Sequence, residues 1–124
     1  MAQLAGYNSH ITTVTTAAGS ATLGTVKLPI LCAPFGGATI KSAKIATTSA
    51  VTADGTNYVT VTLLDGGAAG TLTTAIGTAG GTAGLAAAPA AFTLNTALDE
   101  LDAGDYLMAN IVKSGTITER DFAI

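Results

Sequence analysis

The stretch Tyr58–Leu64 reads YVTVTLL and decides the fold class. Val59, Val61 and Leu63 fall on one side of an extended chain, and the threonines between them fall on the other. Side chains alternate in this way along a β-strand that turns one face to the core and the other to water. An Asp-Gly pair and Asn57 come just before the stretch and are typical of a turn. The pattern therefore predicts a half-buried β-strand.

The stretch Asp105–Ser114 repeats the alternation with more bulk. Leu107, Ala109 and Ile111 alternate with a second row of side chains that includes Met108. Strands that carry bulk on both faces are typical of the covered middle of a sheet. We therefore expect a central strand here, entered through the Gly turn that precedes it.

Weaker patterns of the same kind occur along the rest of the chain, and no long stretch carries apolar residues at helical spacing. The sequence therefore predicts an all-β fold, a β-sandwich or jelly roll of about eight short strands. The weaker strand predictions are His10–Thr16, Leu23–Leu31, Thr39–Thr47, Thr71–Ile76, Ala91–Leu94 and Thr118–Phe122.

Three features interrupt these patterns. Pro29 has no N–H to donate to a neighbouring strand, so we expect it on a sheet edge or at a strand break. The apolar residues change phase between Ile40 and Ile45, which predicts a β-bulge. The segment Gly77–Gly84 repeats GTAG and leads into an Ala-rich stretch, which predicts a flexible loop with at most one short helical turn.

The chain of 124 residues suits one domain. We expect this single β-sandwich domain over residues 21–124 and an N-terminal arm or edge strand over residues 1–20. The N-terminal segment holds Leu4, Tyr7, His10 and Ile11 among small and polar residues, too few large apolar groups to order alone. These four residues are therefore candidate contacts to a neighbouring molecule.

The amino-acid composition limits the kinds of partner that the chain can bind. Hydrophobic residues make up 48% of the chain but aromatic residues only 5%, so the core should be thin and self-association is expected. Charged residues make up 10%, the net charge is −3 and the cations are scattered, which excludes a phosphate-binding face and argues against nucleic acid. No long apolar run predicts a membrane helix, and the first residues do not read as a secretory signal, so we expect synthesis in a cytoplasm.

Catalytic and metal chemistry find little support. His10 is the only histidine, and a neighbouring Ser9 on a strand would point away from it. Asp99, Glu100, Asp102 and Asp105 form the one acidic cluster, which lacks the spacing of a calcium loop. We interpret this cluster as a solvated turn in which Asp102 caps the bend and Gly104 takes a positive φ. No catalytic residue, cofactor site or metal site is predicted, and an enzyme is not expected.

Two other candidates have simpler explanations. The glycines of Gly77–Gly84 lack the Lys-Ser or Lys-Thr ending of a phosphate-binding loop, so they should supply slack or close packing. Cys32 is the only cysteine, and its apolar neighbours predict a small buried side chain rather than a reactive thiol. Neither segment therefore predicts a chemical function.

Two segments together resemble a known group of proteins. Val51–Leu63, with its Asp-Gly turn running into a strand, and Leu101–Thr116, with its Asp-Ala-Gly-Asp-Tyr turn and strand, are similar to small jelly-roll-like virion proteins of tailed phages. Members of that group decorate or cement the capsid. The resemblance covers roughly the middle and C-terminal thirds of the chain, and its motifs are patterns that other β-sandwiches share.

The resemblance implies a homotrimer on the outside of a virion that bridges neighbouring copies of the major capsid protein. It makes Leu4, Tyr7, His10 and Ile11 candidate capsid contacts. The alternative is a receptor-binding or glycan-binding β-sandwich module of a tail or head fibre. A carboxylate enzyme built on Asp99–Asp105 is a third alternative, although the chain has no Trp to form a sugar platform.

Overall fold

The structure is a computed structural model that describes residues 13–14, 25–47, 53–85, 89–115 and 122–124. These residues form antiparallel sheets and contain no helix, which confirms the predicted all-β fold. None of them belongs to a helix that could span a bilayer. The jelly-roll connectivity remains a prediction. The strands are β1 (Thr13–Val14), β2 (Thr25–Cys32), β3 (Ala38–Thr39), β4 (Lys44–Thr47), β5 (Tyr58–Asp65), β6 (Thr74–Gly81), β7 (Ala90–Ala91), β8 (Thr93–Leu94), β9 (Glu100–Leu101), β10 (Tyr106–Ser114) and β11 (Phe122–Ala123).

The two strongest sequence patterns lie side by side in the largest sheet. Its strand order is β2-β10-β5-β6-β8, and β10 pairs with β5 without a break from Leu107 opposite Asp65 to Ser114 opposite Tyr58. The prediction that the later strand is central is therefore confirmed. The half-buried character of β5 is confirmed too, because Val61 and Leu63 are fully buried while the threonines between them are partly exposed.

The inner face of this sheet forms the core. Ile45, from β4 in the second sheet, is among its most buried side chains, so both sheets contribute to one cluster. The outer face of β10 is covered where Met108 lies against the loop after β5, and the side-chain oxygen of Asn110 is buried there without a hydrogen-bond partner. The core cluster consists of Ile30, Ala33, Ile45, Val59, Val61, Leu63, Ile76, Ala79, Leu85, Phe92, Leu101, Leu107, Ala109 and Ile111.

Pro29 lies on an edge strand, as predicted. It pairs opposite Met108 in β2, the first strand of the sheet order, and the register shifts beside it so that Ile30 is an extra residue. Such a bulge re-aims the side chains that follow. Ile30 and Ala33 are buried as a result, while Cys32 is exposed. The prediction of a buried Cys32 was therefore wrong, because it was based on apolar neighbours, which do not show which face a residue takes after a bulge.

The glycine-rich repeat is a strand over most of its length. Gly77–Gly81 belongs to β6, which pairs with β5 along one side and with β8 at Gly77 and Thr78 on the other. The prediction of a flexible loop was wrong for this part. A Cβ at Gly77 would come within 2.9 Å of the Thr93 carbonyl oxygen, so the glycine permits close approach of β8.

The phase change between Ile40 and Ile45 marks a strand break rather than a bulge. Residues 40–43 lie outside any strand and separate β3, which pairs with β9, from β4, which pairs with β11 and β7. The chain therefore passes from one sheet to another at this point, and the continuous strand Thr39–Thr47 was a wrong prediction. The second sheet has the order β1-β11-β4-β7.

A short segment ties the two larger sheets together. β7 pairs with β4, whereas β8, only one residue later, pairs with β6. Phe92 lies between them, is buried, and donates its N–H to the Ala43 carbonyl at 3.0 Å. The predicted strand Ala91–Leu94 is thus shared by two sheets.

Most of the predicted N-terminal arm lies outside the described residues. Thr13 and Val14 form β1 and pair with Ala123 and Phe122 of β11. The predicted strand Thr118–Phe122 is described only at its last residue. The choice between an arm and an edge strand over residues 1–20 therefore stays a prediction.

Candidate interaction surface

The predicted capsid-contact residues Leu4, Tyr7, His10 and Ile11 lie outside the described residues. The described part of the chain brings a different set of side chains together, at one end of the five-stranded sheet. β2 and β5 end there and β10 begins there, because β10 is antiparallel to both. Three connecting segments consequently meet at this end: residues 33–37, 66–73 and 102–105.

Backbone hydrogen bonds hold these three segments to one another. Ala33 donates its N–H to the Asp105 carbonyl at 2.7 Å and accepts from the Gly104 N–H at 3.2 Å. On the other side, Tyr106 donates to the Gly67 carbonyl at 3.1 Å and accepts from the Gly66 N–H at 2.8 Å. The end of the sheet is therefore a connected backbone framework on which side chains can be presented.

Phe35 is the most prominent of those side chains. It lies in the turn Pro34-Phe35-Gly36-Gly37, which closes through a hydrogen bond from the Gly37 N–H to the Pro34 carbonyl at 2.9 Å. Gly37 has φ +79°, and a Cβ there would come within 2.6 Å of the Leu101 carbonyl oxygen, so glycine lets the turn pack against β9. Phe35 itself is fully exposed.

Three more large apolar side chains are exposed at the same end. Tyr106 is the first residue of β10 and is 37% exposed. Leu72, 53% exposed, lies in the loop after β5, where its N–H donates to the Gly66 carbonyl at 2.9 Å. Leu98, 44% exposed, lies in the turn after β8, which reaches this end because Asn95 bonds to Ile76 near the start of β6.

Acidic side chains accompany these apolar ones. Asp65 ends β5, and Asp99, Glu100, Asp102 and Asp105 lie on the segment that leads into β10. The one other acidic residue in the described ranges lies at the opposite end, before β5. We name the combination the acidic apolar end. It consists of Phe35, Leu72, Leu98 and Tyr106 together with Asp65, Glu100, Asp102 and Asp105, whereas Asp99 is buried beneath it.

The turn at residues 102–105 is built differently from the expectation. Gly104 has φ +88°, so its predicted positive φ is confirmed. The capping carboxylate, however, is that of Asp105, whose Oδ2 accepts the Asp102 N–H at 3.2 Å. Asp65 acts in the same way on the Gly67 N–H at 2.8 Å. Within the described ranges, no three His, Cys, Asp or Glu side chains are grouped so that they could hold a metal ion.

The opposite end of the sheet has a self-contained polar turn. Oδ1 of Asp54 accepts the N–H of Thr56 at 2.7 Å and that of Asn57 at 2.8 Å, and the Asn57 amide also donates to this carboxylate. Hydrogen bonds from the Asn57 N–H, then the Thr56 N–H and the Asn57 side chain, lower the pKa of Asp54 below its ordinary value. This carboxylate therefore serves the turn that starts β5.

Sequence reasoning missed the acidic apolar end, although one local signal was present. An aromatic residue between Pro34 and the pair Gly36-Gly37 sits at a turn, where a large side chain cannot easily reach the core. The sequence alone could not show that Phe35, Leu72 and Tyr106 lie at the same end of the sheet, because this depends on the order of the strands.

Comparison with known protein families, with curated proteins and with solved structures finds no match to this chain.

Proposed function

We propose that the chain is a non-catalytic structural module that decorates the capsid of a tailed phage and docks on the shell through its acidic apolar end. The observation that carries the proposal is the fully exposed Phe35 on a turn fixed by glycine and by hydrogen bonds. An aromatic side chain held in water on a rigid framework is typical of a residue that becomes buried in an interface.

Other exposed apolar side chains at the same end support the proposal more strongly than Phe35 alone would. Scattered exposed apolar residues are normal on proteins, whereas a group of them marks an interaction site. Phe35, Leu72, Leu98 and Tyr106 are the exposed large hydrophobic side chains among the described residues, and all four belong to segments at one end of the sheet. A binding module is therefore favoured over a module with a buried pocket.

The capsid is proposed from the resemblance to phage decoration proteins. The described parts of the two resembling segments form β5 and β10, which pair directly at the centre of the sheet. This pairing supports the resemblance, since both motifs belong to one structural unit. Binding at many identical sites on a shell would let a modest interface hold by multivalency.

Quantitative mass spectrometry of phage particles from the source of the gene tests the proposal. We expect the chain at a copy number in a simple ratio to the major capsid protein. A few copies per particle would instead favour the receptor-binding or glycan-binding alternative, to which the exposed Phe35 and Tyr106 could also contribute. Absence of the chain from particles would contradict both.

The proposed homotrimer is tested separately. Sedimentation of the isolated full chain at micromolar concentration should give the mass of three copies, since a core short of large side chains is expected to share apolar surface. A species with the mass of one copy would contradict this part of the proposal and leave decoration to be tested on particles.

A further inference from the structure

We infer that the acidic apolar end binds a protein surface that offers an apolar pocket rimmed by lysine or arginine side chains. The inference rests on the proposed function, which locates the partner surface on a capsid. It adds the chemistry by which the acidic apolar end recognises that surface. Phe35 is the anchor, and the carboxylates around it select the charge of the partner.

Phe35 can reach into an apolar pocket on a partner. Its ring is fully exposed and projects from a turn whose ends are fixed, so it can enter a pocket without reordering of the backbone. Pre-ordered aromatic anchors are the residues that dominate binding energy at interfaces. Leu72, Leu98 and Tyr106 are exposed on neighbouring segments of the same end and add apolar surface to it.

The charge at this end selects among occupants. Glu100 and Asp102 are exposed, and Asp65 and Asp105 are partly exposed. Among the described lysines, Lys27 and Lys113 pair within the sheet away from this end, and Lys44 pairs with β7. Lys41 is exposed and follows Ile40, whose N–H donates to the Asp99 carbonyl at 2.8 Å, so one lysine lies beside the acidic segment. Four exposed or partly exposed carboxylates against one neighbouring lysine leave this end with a net negative field beside its apolar side chains.

This field disfavours two other occupants. A second copy docked end to end would double the number of carboxylates in one interface, and the repulsion between like charges disfavours this arrangement. An anionic membrane would be repelled for the same reason. A partner with a cationic rim gains from the same charges, both in encounter rate and in orientation.

Three synthetic peptides probe the inference with the full chain. The first carries an apolar cluster flanked by lysines, the second carries the same cluster flanked by glutamates, and the third carries the lysines with serines in place of the cluster. Binding is measured by fluorescence polarisation at low and at high salt. We expect the first peptide to bind best, and its affinity to fall as salt rises.

Variants assign the binding to this end. Phe35→Ser should weaken binding of the first peptide at least about tenfold, the loss expected on removal of an aromatic anchor. Glu100→Gln combined with Asp102→Asn should reduce the salt dependence. Ala83→Ser, an exposed apolar-to-serine change beyond the other end of β6, is the matched control and should bind as the unchanged chain does. Circular dichroism confirms that each variant is folded.

Several results would overturn the inference: equal binding of the lysine and glutamate peptides, equal binding of the third peptide, or unchanged binding by Phe35→Ser. Phe35-dependent binding to phosphatidylcholine vesicles would point to a membrane instead, and a Phe35-dependent change of mass in sedimentation would point to a second copy.

The presence of the chain on phage particles distinguishes failure of the proposed function from failure of this inference. A chain absent from particles that still binds the first peptide through Phe35 sinks only the capsid function. A Phe35→Ser variant that decorates particles fully sinks the inference and the docking through the acidic apolar end, and leaves decoration itself standing.

Discussion

The middle of the five-stranded sheet and its acidic apolar end place large apolar side chains in opposite environments. Leu63 and Leu72 show the contrast within one hairpin, since the first is fully buried in β5 and the second is 53% exposed in the loop that leads to β6. Phe92 and Phe35 repeat it, one buried between the two sheets and the other fully exposed. The first member of each pair belongs to the core cluster, and the second lies at the surface.

This contrast separates what holds the domain together from what it presents. The buried members contact one continuous core, so their removal leaves a cavity. The exposed members are attached to a backbone that is already fixed by hydrogen bonds between turns. Changes at the acidic apolar end should therefore alter binding far more than stability.

The largest expected effect comes from the same substitution at the two leucines. Leu63→Ala should lower the free energy of unfolding by about 2–5 kcal/mol, because it empties space among fully buried neighbours. Leu72→Ala should change it by much less, about 0.5 kcal/mol, because about half of that residue is already in water and the rest lies over a surface loop. Urea unfolding followed by circular dichroism measures both. Equal losses would show that the loop after β5 belongs to the core.

Large side chains were also what made the sheet predictable. β5 and β10 were found from sequence because each alternates bulky residues that must face one core. β6 was found only at its start, where the predicted strand Thr71–Ile76 overlaps it. The Gly-Thr-Ala-Gly part carries no such signal and is a strand because it lies between β5 and β8. Cys32 was misplaced by a single bulge at Ile30. The acidic cluster was recognised, but its meeting with Phe35 depends on which strands end together.

The second expected effect tests whether glycine in β6 is required by packing. Gly77→Ala should destabilise the fold by about 1–3 kcal/mol, since its Cβ would press on the Thr93 carbonyl and the Leu94 side chain. Gly55→Ala is the matched control, because a Cβ there meets open space and the backbone has no positive φ. It should be neutral or slightly stabilising. A Gly77→Ala protein as stable as the control would mean that β8 is free to shift.

A smaller effect should appear as a pH dependence at the polar turn opposite the acidic apolar end. The folded-state pKa of Asp54 is lowered, so its contribution to stability is full above the unfolded pKa and is lost as pH falls through the folded one. Asp54→Asn should therefore be less stable than the unchanged chain at pH 7, and the difference should shrink below about pH 4. Urea midpoints at neutral and acidic pH measure this. A difference that does not change with pH would mean that the charge of Asp54 plays no part.

The smallest expected effect on stability belongs to the residue on which the proposed function depends most. Phe35→Ser should change the free energy of unfolding by no more than about 0.5 kcal/mol, because the ring is fully exposed and its turn closes through backbone atoms of Pro34 and Gly37. Phe92→Ser, the same change in the core, should cost at least about 3 kcal/mol. Paired urea titrations give both values. If Phe35→Ser were as costly as Phe92→Ser, the ring would be a core residue and could not serve as an anchor for a partner. If it is neutral, any loss of binding by the same variant is assigned to the surface itself, since the fold that presents it is unchanged.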